Sequence, residues 1–526
     1  MATLKHSSIG HIQGKQGDGV IQYLGIPYAT LKDRFAKAQL AQYPLEGTVD
    51  ATKLGPSVLS PPNAVDFEQA LIQKTLPYEG LSVSDLEGLI VNITVPEGVQ
   101  AHSKLPVFVF IYGGGFNIGS SSWPEYDFAR IIKLSADIGS PVIGVSFNYR
   151  LGLPGFLTSS DLRAAGYKPN NGLRDQRTAL LWVQKHIAGF GGDPANVTCA
   201  GESAGGASVA YHLQSEQPLF RRAVPMSGTP LLVKPMPLQA AEGGYAGALK
   251  ALGLESKSTE EQIEALLNIP GEEMLEKTGR SVHVGPVEDG EILKGMPSFD
   301  VISRPVATSE FPLPGRLWCE SLMVGDCAFD GNIMSLQFGP RKAGIGAAFR
   351  KHFETVLPEH AAELFEAYGI GPETSDDEAF VAVLRFTNDI GFYAPTIAYA
   401  SGFAESSSVY QYRFNELNEW EGPWKGESTH ILDVAFLFQN YNEHLSTEQR
   451  TVAMEFAKLF ITFVNGKAPW QPWKLHDSVA MVMEGGKLAV RKDVPTETGR
   501  RAVFIDLAKK AGFDSLSATW SQFLHG

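Results

Sequence analysis

Ser203 lies in Gly201-Glu202-Ser203-Ala204-Gly205-Gly206, with a glycine two residues before it and another two residues after. Neither glycine carries a Cβ, so the chain can bend sharply there and lift the hydroxyl clear of the backbone. Asn196-Val197-Thr198-Cys199-Ala200 is short and β-favouring, and Ala204 to Leu213 is small and apolar. The spacing therefore predicts a strand, a tight turn and a helix, with the serine at the turn. The chemistry that suits such a serine is nucleophilic attack by its oxygen. Alone the pentapeptide is a weak signal, since a glycine-rich turn before a buried helix has the same pattern. A serine hydroxyl is also a poor nucleophile at neutral pH: it needs a base, and the base needs a group to orient it.

Twelve histidines are available, so a histidine by itself says little. His352 and His360 stand in charged helical sequence, which predicts solvated positions. His430 follows the predicted strand Val409–Phe414, in a polar loop that runs into the apolar Ile431-Leu432. A late loop at the carboxyl end of a strand suits a catalytic base, and His476 is its rival. The acid is expected in a loop between the serine and that histidine. Asp326-Cys327-Ala328-Phe329-Asp330-Gly331, after the predicted strand Leu322–Gly325, offers two carboxylates. Gly331 eases a tight turn and favours Asp330, with Asp326 still open and an ordinary Asp-Gly loop the alternative. Gly113-Gly114-Gly115 follows the apolar run Val107–Ile111. Its amides can turn inward to hold an oxyanion, joined by the Ala204 amide at a helix N-terminus. A flexible loop or a phosphate cradle would also use three glycines, but no Lys-Ser/Thr follows and no Gly-x-Gly-x-x-Gly occurs there.

These segments need a scaffold that brings strand ends together. Val107–Ile111 and Pro141–Phe147 are continuous apolar runs, as buried parallel strands are. Leu173, Ala179, Leu180, Val183 and Ile187 fall near helical spacing, and Ala223–Met226 forms another strand. Strands and helices alternate through the first half, which predicts an α/β fold with a mainly parallel sheet. Helices close the chain around Glu448–Val464 and Val503–Ala511. No linker, repeat or low-complexity tract divides the 526 residues, so one catalytic domain is expected over 1–526. Hydrophobic residues make up 44%, enough for a large core, and the net charge of −14 argues against nucleic acid and anionic membrane surfaces. The N-terminal residues lack the apolar core of a signal peptide, and no apolar run is long enough to span a bilayer. Three cysteines, Cys199, Cys319 and Cys327, fit a reducing compartment, and the expectation is a cytoplasmic protein. The sequons at Asn92 and Asn196 fall in predicted strands.

Longer motifs recur in one order along the chain. They are Leu24-Gly25-Ile26-Pro27-Tyr28-Ala29 with Arg34-Phe35, Tyr112-Gly113-Gly114-Gly115-Phe116, and Asn148-Tyr149-Arg150-Leu151-Gly152 with Gly155-Phe156-Leu157. Asn171-Gly172-Leu173-Arg174-Asp175-Gln176, Phe190-Gly191-Gly192-Asp193-Pro194 and the serine turn follow. Met226-Ser227-Gly228, Gly285-Pro286-Val287-Glu288-Asp289-Gly290 and Thr429-His430-Ile431-Leu432-Asp433 complete the set. The chain resembles the type-B carboxylesterases, the cholinesterase-like branch of the α/β-hydrolases, almost from end to end.

The resemblance implies an α/β-hydrolase fold and a triad of Ser203, Asp330 and His430. It implies oxyanion donors at Gly114, Gly115 and Ala204, and polar residues near the histidine at Glu202 and Ser227. Phe116 is the expected pocket aromatic, with Trp123, Trp318 and Phe329 as further candidates and core packing as the alternative. Segments of about 58–85, 230–320 and 349–404 are expected to be pocket or lid insertions. No cofactor and no metal is expected, and the partner is a small, neutral, fairly apolar ester. An acyltransferase, thioesterase or lactonase would use the same site; a non-catalytic binding protein is the remaining alternative. Two departures stand out. The family usually has Glu where this chain has Asp330, so the acid loop must move inward or Asp326 must substitute. Leu86-Glu87-Gly88-Leu89 lacks the family's cysteine, so the usual disulfide around the early loop is missing.

Overall fold

The computed structural model describes residues 1–279, 281–305, 312–492 and 500–526. One sheet holds 13 strands. In chain order they are β1 Ala2–His6, β2 Gly10–Gly17, β3 Val20–Pro27, β4 Thr48–Ala51, β5 Ile90–Pro96, β6 Leu105–Ile111 and β7 Ile143–Phe147. The rest are β8 Gly192–Glu202, β9 Arg222–Met226, β10 Ser321–Cys327, β11 Ser408–Phe414, β12 Val479–Glu484 and β13 Lys487–Lys492. Their spatial order is β1-β2-β3-β5-β7-β6-β8-β9-β10-β11-β12-β13, with β4 beside β2. Every pairing from β7 to β12 is parallel. The strands from β1 to β5 pair antiparallel along that path, as do β5 with β7 and β12 with β13. Helices flank this mixed sheet, and β6 and β7 are buried along most of their length, as their unbroken apolar sequence requires.

The expected alternation of strand and helix through the first half begins only after β6. Before residue 51 the chain is strands and turns. β2 alternates buried and exposed residues, the mark of a sheet with one wet face. Its turn into β3 is Asp18-Gly19, with φ of 52° and 77°, the left-handed pair that a tight hairpin needs. The sequons lie in strands as expected, Asn92 in β5 and Asn196 in β8. The closing helices run over Thr447–Val464 and Arg500–Ala511, with β12, β13 and a further helix, Phe513–His525, that the sequence did not announce.

Several quoted motifs turn out to be buried joints. Arg150 Nη2 meets Asp175 Oδ1 at 2.7 Å with both side chains sealed from solvent. Arg174 pairs with Asp289 at 3.0 Å and with Glu291 at 2.8 Å, tying its helix to the Gly285–Gly290 loop. Residues 57 to 83 close on themselves through a bridge between Ser57 and Val83 and carry the helix Ala64–Ile72. Helices Ala241–Leu252, Thr259–Asn268 and Gly271–Thr278 supply much of a second apolar cluster around Phe35, Leu59, Leu153 and Leu157. Residues 280 and 306–311 of the 230–320 segment lie outside the described residues. Within 349–404, helices Asp376–Asn388 and Ala394–Phe403 flank a π-turn, Asp389–Tyr393. Pro395 has no N–H to give the Gly391 carbonyl, and the Ala394 amide instead closes on Asp389, five residues back.

Among the described residues, no helix is long and apolar enough to cross a membrane. The carboxyl ends of β6, β8, β10 and β11 all point to one edge, where open parallel sheets bind their ligands.

Candidate active site

Ser203 stands at the tip of β8 with φ 57° and ψ −122°, a left-handed conformation that non-glycine residues avoid unless the surroundings hold them there. Its amide donates to the Met226 carbonyl at 2.9 Å. The flanking glycines are required by close approach: a Cβ on Gly201 would strike the Gly205 carbonyl, and one on Gly205 would strike the Ile111 carbonyl. Ala204 then opens the helix Ala204–His212.

The loop after β6 supplies Gly114 and Gly115, at φ 83° and 60°. The Gly114 carbonyl accepts the Asn117 and Ile118 amides at 3.0 and 3.1 Å, which folds the loop back. Among the described residues the amides of Gly114, Gly115 and Ala204 donate to no protein acceptor. Amides free in this way are what a developing oxyanion requires.

His430 Nδ1 lies 2.7 Å from Asp330 Oδ1. The other oxygen of Asp330 accepts the Cys327 amide at 2.7 Å and the Ser227 hydroxyl at 3.0 Å. Ser227 thus holds the acid, not the histidine. Asp326 is elsewhere: fully buried, it pairs with Arg413 at 2.8 Å and Arg501 at 2.7 Å. Asp330 reaches the imidazole with its shorter side chain because its loop is laced to the histidine loop. The Phe329 amide donates to the Ser428 carbonyl at 2.9 Å, and Phe329 bridges Thr429. The His430 amide donates to Asn332 Oδ1 at 2.9 Å, and Phe392 meets the imidazole edge-on at 5.4 Å. Neither Asn332 nor Phe392 gave any sign in the sequence.

On the other side of the ring, His430 Nε2 is 3.1 Å from Glu202 Oε1. The contact is electrostatic, for Glu202 Oε1 has no aligned hydrogen-bond partner. Burial disfavours the charged imidazole, but Glu202, Asp330 and Asp433 outweigh it and raise the His430 pKa to about 9. Burial also pushes Glu202 strongly toward its neutral form, helped by Asp433, Glu68 and Asp330. Next to Glu202, the strongest raising influence on His430 is Asp330, through its hydrogen bond and its charge. Two further buried carboxylates were missed from the sequence. Glu68, bonded to the Tyr126 hydroxyl, is raised by burial to about 7, and Glu125 by burial and Glu68 to about 8. Glu68 shares a helix face with Ala64, Val65 and Ile72, an apolar stripe in which a carboxylate is out of place.

His476 is on an exposed turn. His352 is half-buried rather than solvated, its Nε2 at 3.0 Å from the Thr519 carbonyl, and His360 is also half-buried. Phe116 is buried against Phe156, ring centres 4.9 Å apart. Phe329 is sealed between the Arg385 guanidinium and Trp424, and Trp318 packs on Phe220 and donates to the Ser215 carbonyl. Trp123 lines a cavity of about 240 Å³ with Ser57, Val58, Pro61, Val65 and Tyr78. Among the described residues, no group of three His, Cys, Asp or Glu side chains is placed to hold a metal ion.

A serine in a left-handed turn between a parallel strand and a helix, at the carboxyl edge of such a sheet, defines an α/β-hydrolase. The fold matches a carboxylesterase of Geobacillus stearothermophilus with a TM-score of 0.74 and 26% identity, covering 95% of this chain and 99% of that one. A profile described as the carboxylesterase family matches residues 2–484, and the chain belongs to that family. It is a carboxylic ester hydrolase. Para-nitrobenzyl esterase of Bacillus subtilis is 29% identical over 479 residues, 88% of this chain and 89% of the relative. Lipase 3 of Yarrowia lipolytica is 29% identical over 500 residues, 90% of this chain and 89% of that lipase.

Proposed function

We propose that the chain hydrolyses neutral, fairly apolar carboxylic esters through an acyl-enzyme on Ser203. Ser203 Oγ attacks the ester carbonyl while His430 takes its proton at Nε2. Asp330 holds Nδ1–H and stabilises the imidazolium that forms. The amides of Gly114, Gly115 and Ala204 hold the oxyanion, and their lack of protein acceptors supports this role. His430 then returns the proton to the departing alkoxide. Water, deprotonated by the same nitrogen, attacks the acyl carbon and frees the carboxylic acid and Ser203.

The observation that carries the reading is the 2.7 Å bond between His430 and Asp330, formed at the sheet edge where β8 presents Ser203. A net charge of −14 disfavours anionic substrates. The names para-nitrobenzyl esterase and lipase among the relatives support the ester class. The cavity beside Trp123 supports a substrate-facing role for residues 58–85. Three buried free thiols support a reducing compartment such as the cytoplasm.

The test is labelling with an organophosphate followed by peptide mapping. One phosphoryl group per chain on Ser203, with hydrolysis of p-nitrophenyl esters lost in step, is the expected result. Ser203→Ala should lower kcat by about a million-fold. Full activity in that variant overturns the proposal.

A further inference from the structure

Two arginines open the helix Arg500–Ala511, beyond residue 484, where the match to the carboxylesterase family ends. Both reach back toward the catalytic residues. Arg500 donates to the two oxygens of Asp389 at 2.7 and 3.1 Å, and Arg501 Nε reaches the same carboxylate at 3.4 Å. Arg501 Nη2 donates to Asp326 at 2.7 Å. Both carboxylates are fully buried. The Arg501 guanidinium lies 4.1 Å from the centre of the Tyr393 ring, and Arg413 lies 4.8 Å from it.

Asp389 and Tyr393 are the first and last residues of the π-turn. Between them, Phe392 meets the His430 ring edge-on at 5.4 Å. Just before the turn, Asn388 accepts the Gly331 amide at 3.0 Å, next to Asp330. Asp326, the second anchor of Arg501, is on β10, the strand that leads to Asp330. The helix Phe513–His525 grips the same place, with Trp520 Nε1 donating to Thr387 at 3.1 Å. A π-turn is rare inside helices and is frequently found at functional sites. Here its two ends are held from outside, and its middle touches the base.

We propose that Arg500 and Arg501 are positioning residues: by clamping Asp389, Asp326 and Tyr393 they fix the turn that orients His430 and the Asp330 loop. The inference rests on the reading of Ser203, Asp330 and His430 as the reacting groups. Loss of Arg501 leaves buried Asp326 with Arg413 and buried Asp389 with Arg500 and the Tyr368 hydroxyl, and the turn adjusts to the missing cation. That movement displaces Phe392 and Asn388, and the imidazole and acid loop with them.

The test compares full-length wild type with Arg501→Ala, Arg501→Lys and Asp389→Asn. The expected Arg501→Ala protein keeps its circular dichroism and a KM for a p-nitrophenyl ester within about twofold. Its kcat falls about tenfold, and the downfield proton resonance of the His430–Asp330 hydrogen bond shifts or disappears. Arg501→Lys regains part of kcat, since an ammonium meets one carboxylate but not two. Asp389→Asn shows the same split between kcat and KM. Wild-type kcat with an unmoved resonance in Arg501→Ala overturns the clamp. So does a loss of activity that only follows the loss of folded protein. If Arg501→Ala does not fold, Arg501→Lys decides on the same two readouts. Wild type that fails to label at Ser203 would instead sink the serine-hydrolase reading, so the two failures are distinct.

Discussion

Asp330 meets His430 from one methylene closer to the backbone than a glutamate would, on a loop held to the histidine loop by the Phe329–Thr429 bridge. With both of its oxygens engaged, it has no rotamer to spare. Asp330→Asn should lower kcat by about 10⁴, because the amide stabilises the wrong tautomer, and steady-state rates on a p-nitrophenyl ester check it. Glu202 bears on the same imidazole from the other side. His430 works as a base only when neutral, so kcat/KM falls as pH drops through its pKa. Any charge that Glu202 carries raises that pKa and moves the acidic limb to higher pH. Glu202→Gln should therefore shift the limb to lower pH in a kcat/KM profile. A limb that stays in place would mean that burial keeps Glu202 neutral throughout.

The elements that carry the site differ in how openly the sequence declares them. The serine elbow and β6, β7, β10 and β11 were legible because they are local: two glycines, an apolar run, a polar loop at its end. Gly485-Gly486, at φ 59° and 77°, is a hairpin signal between β12 and β13 that was there to be read and was passed over. β1 to β3 were missed because short alternating strands resemble polar loops until their partners are known. Asn332, Asn388 and Phe392 could not have been found, since each acts across the fold on a loop distant in sequence. The pairing of Asp326 with Arg413 and Arg501 was likewise out of reach, since no local pattern brings them near. The Gly114 loop offers a test at this scale. A Cβ there would collide with the Ile118 backbone, and φ of 83° already disfavours any side chain. Gly114→Ala should push the loop outward and remove a donor, lowering kcat by about 10²–10³ with the melting temperature little changed. A variant with normal kcat would place the oxyanion donors elsewhere.

Across the whole molecule, the catalytic edge of the sheet is a concentration of buried acid. Glu68, Glu125 and Glu202 all have pKa values raised first by burial, and Glu68 raises the other two. This has a consequence for stability that no single residue shows. A carboxyl raised in the folded state binds a proton that the unfolded chain has already lost, so folding weakens as pH climbs toward the folded pKa. Buried histidines act in the opposite sense. His6, His186 and His212 are pushed down by burial, and they add stability as pH rises, but only up to the ordinary value of 6.5. Above that point they are neutral in both states and drop out, which leaves the acids and the raised His430 to set the slope. Glu125, held at about 8, alone contributes a loss of about 2 kcal/mol between pH 6.5 and 8. For a chain of 526 residues this lowers the melting temperature by about 2 °C over that interval. Glu125→Gln removes the proton and with it that part of the slope, while its neutral amide occupies the same space. Melting curves of wild type and variant at matched scan rates from pH 6.5 to 8 should converge as pH falls and separate as it rises. Parallel curves would show that Glu125 is already ionised in the folded protein across this range.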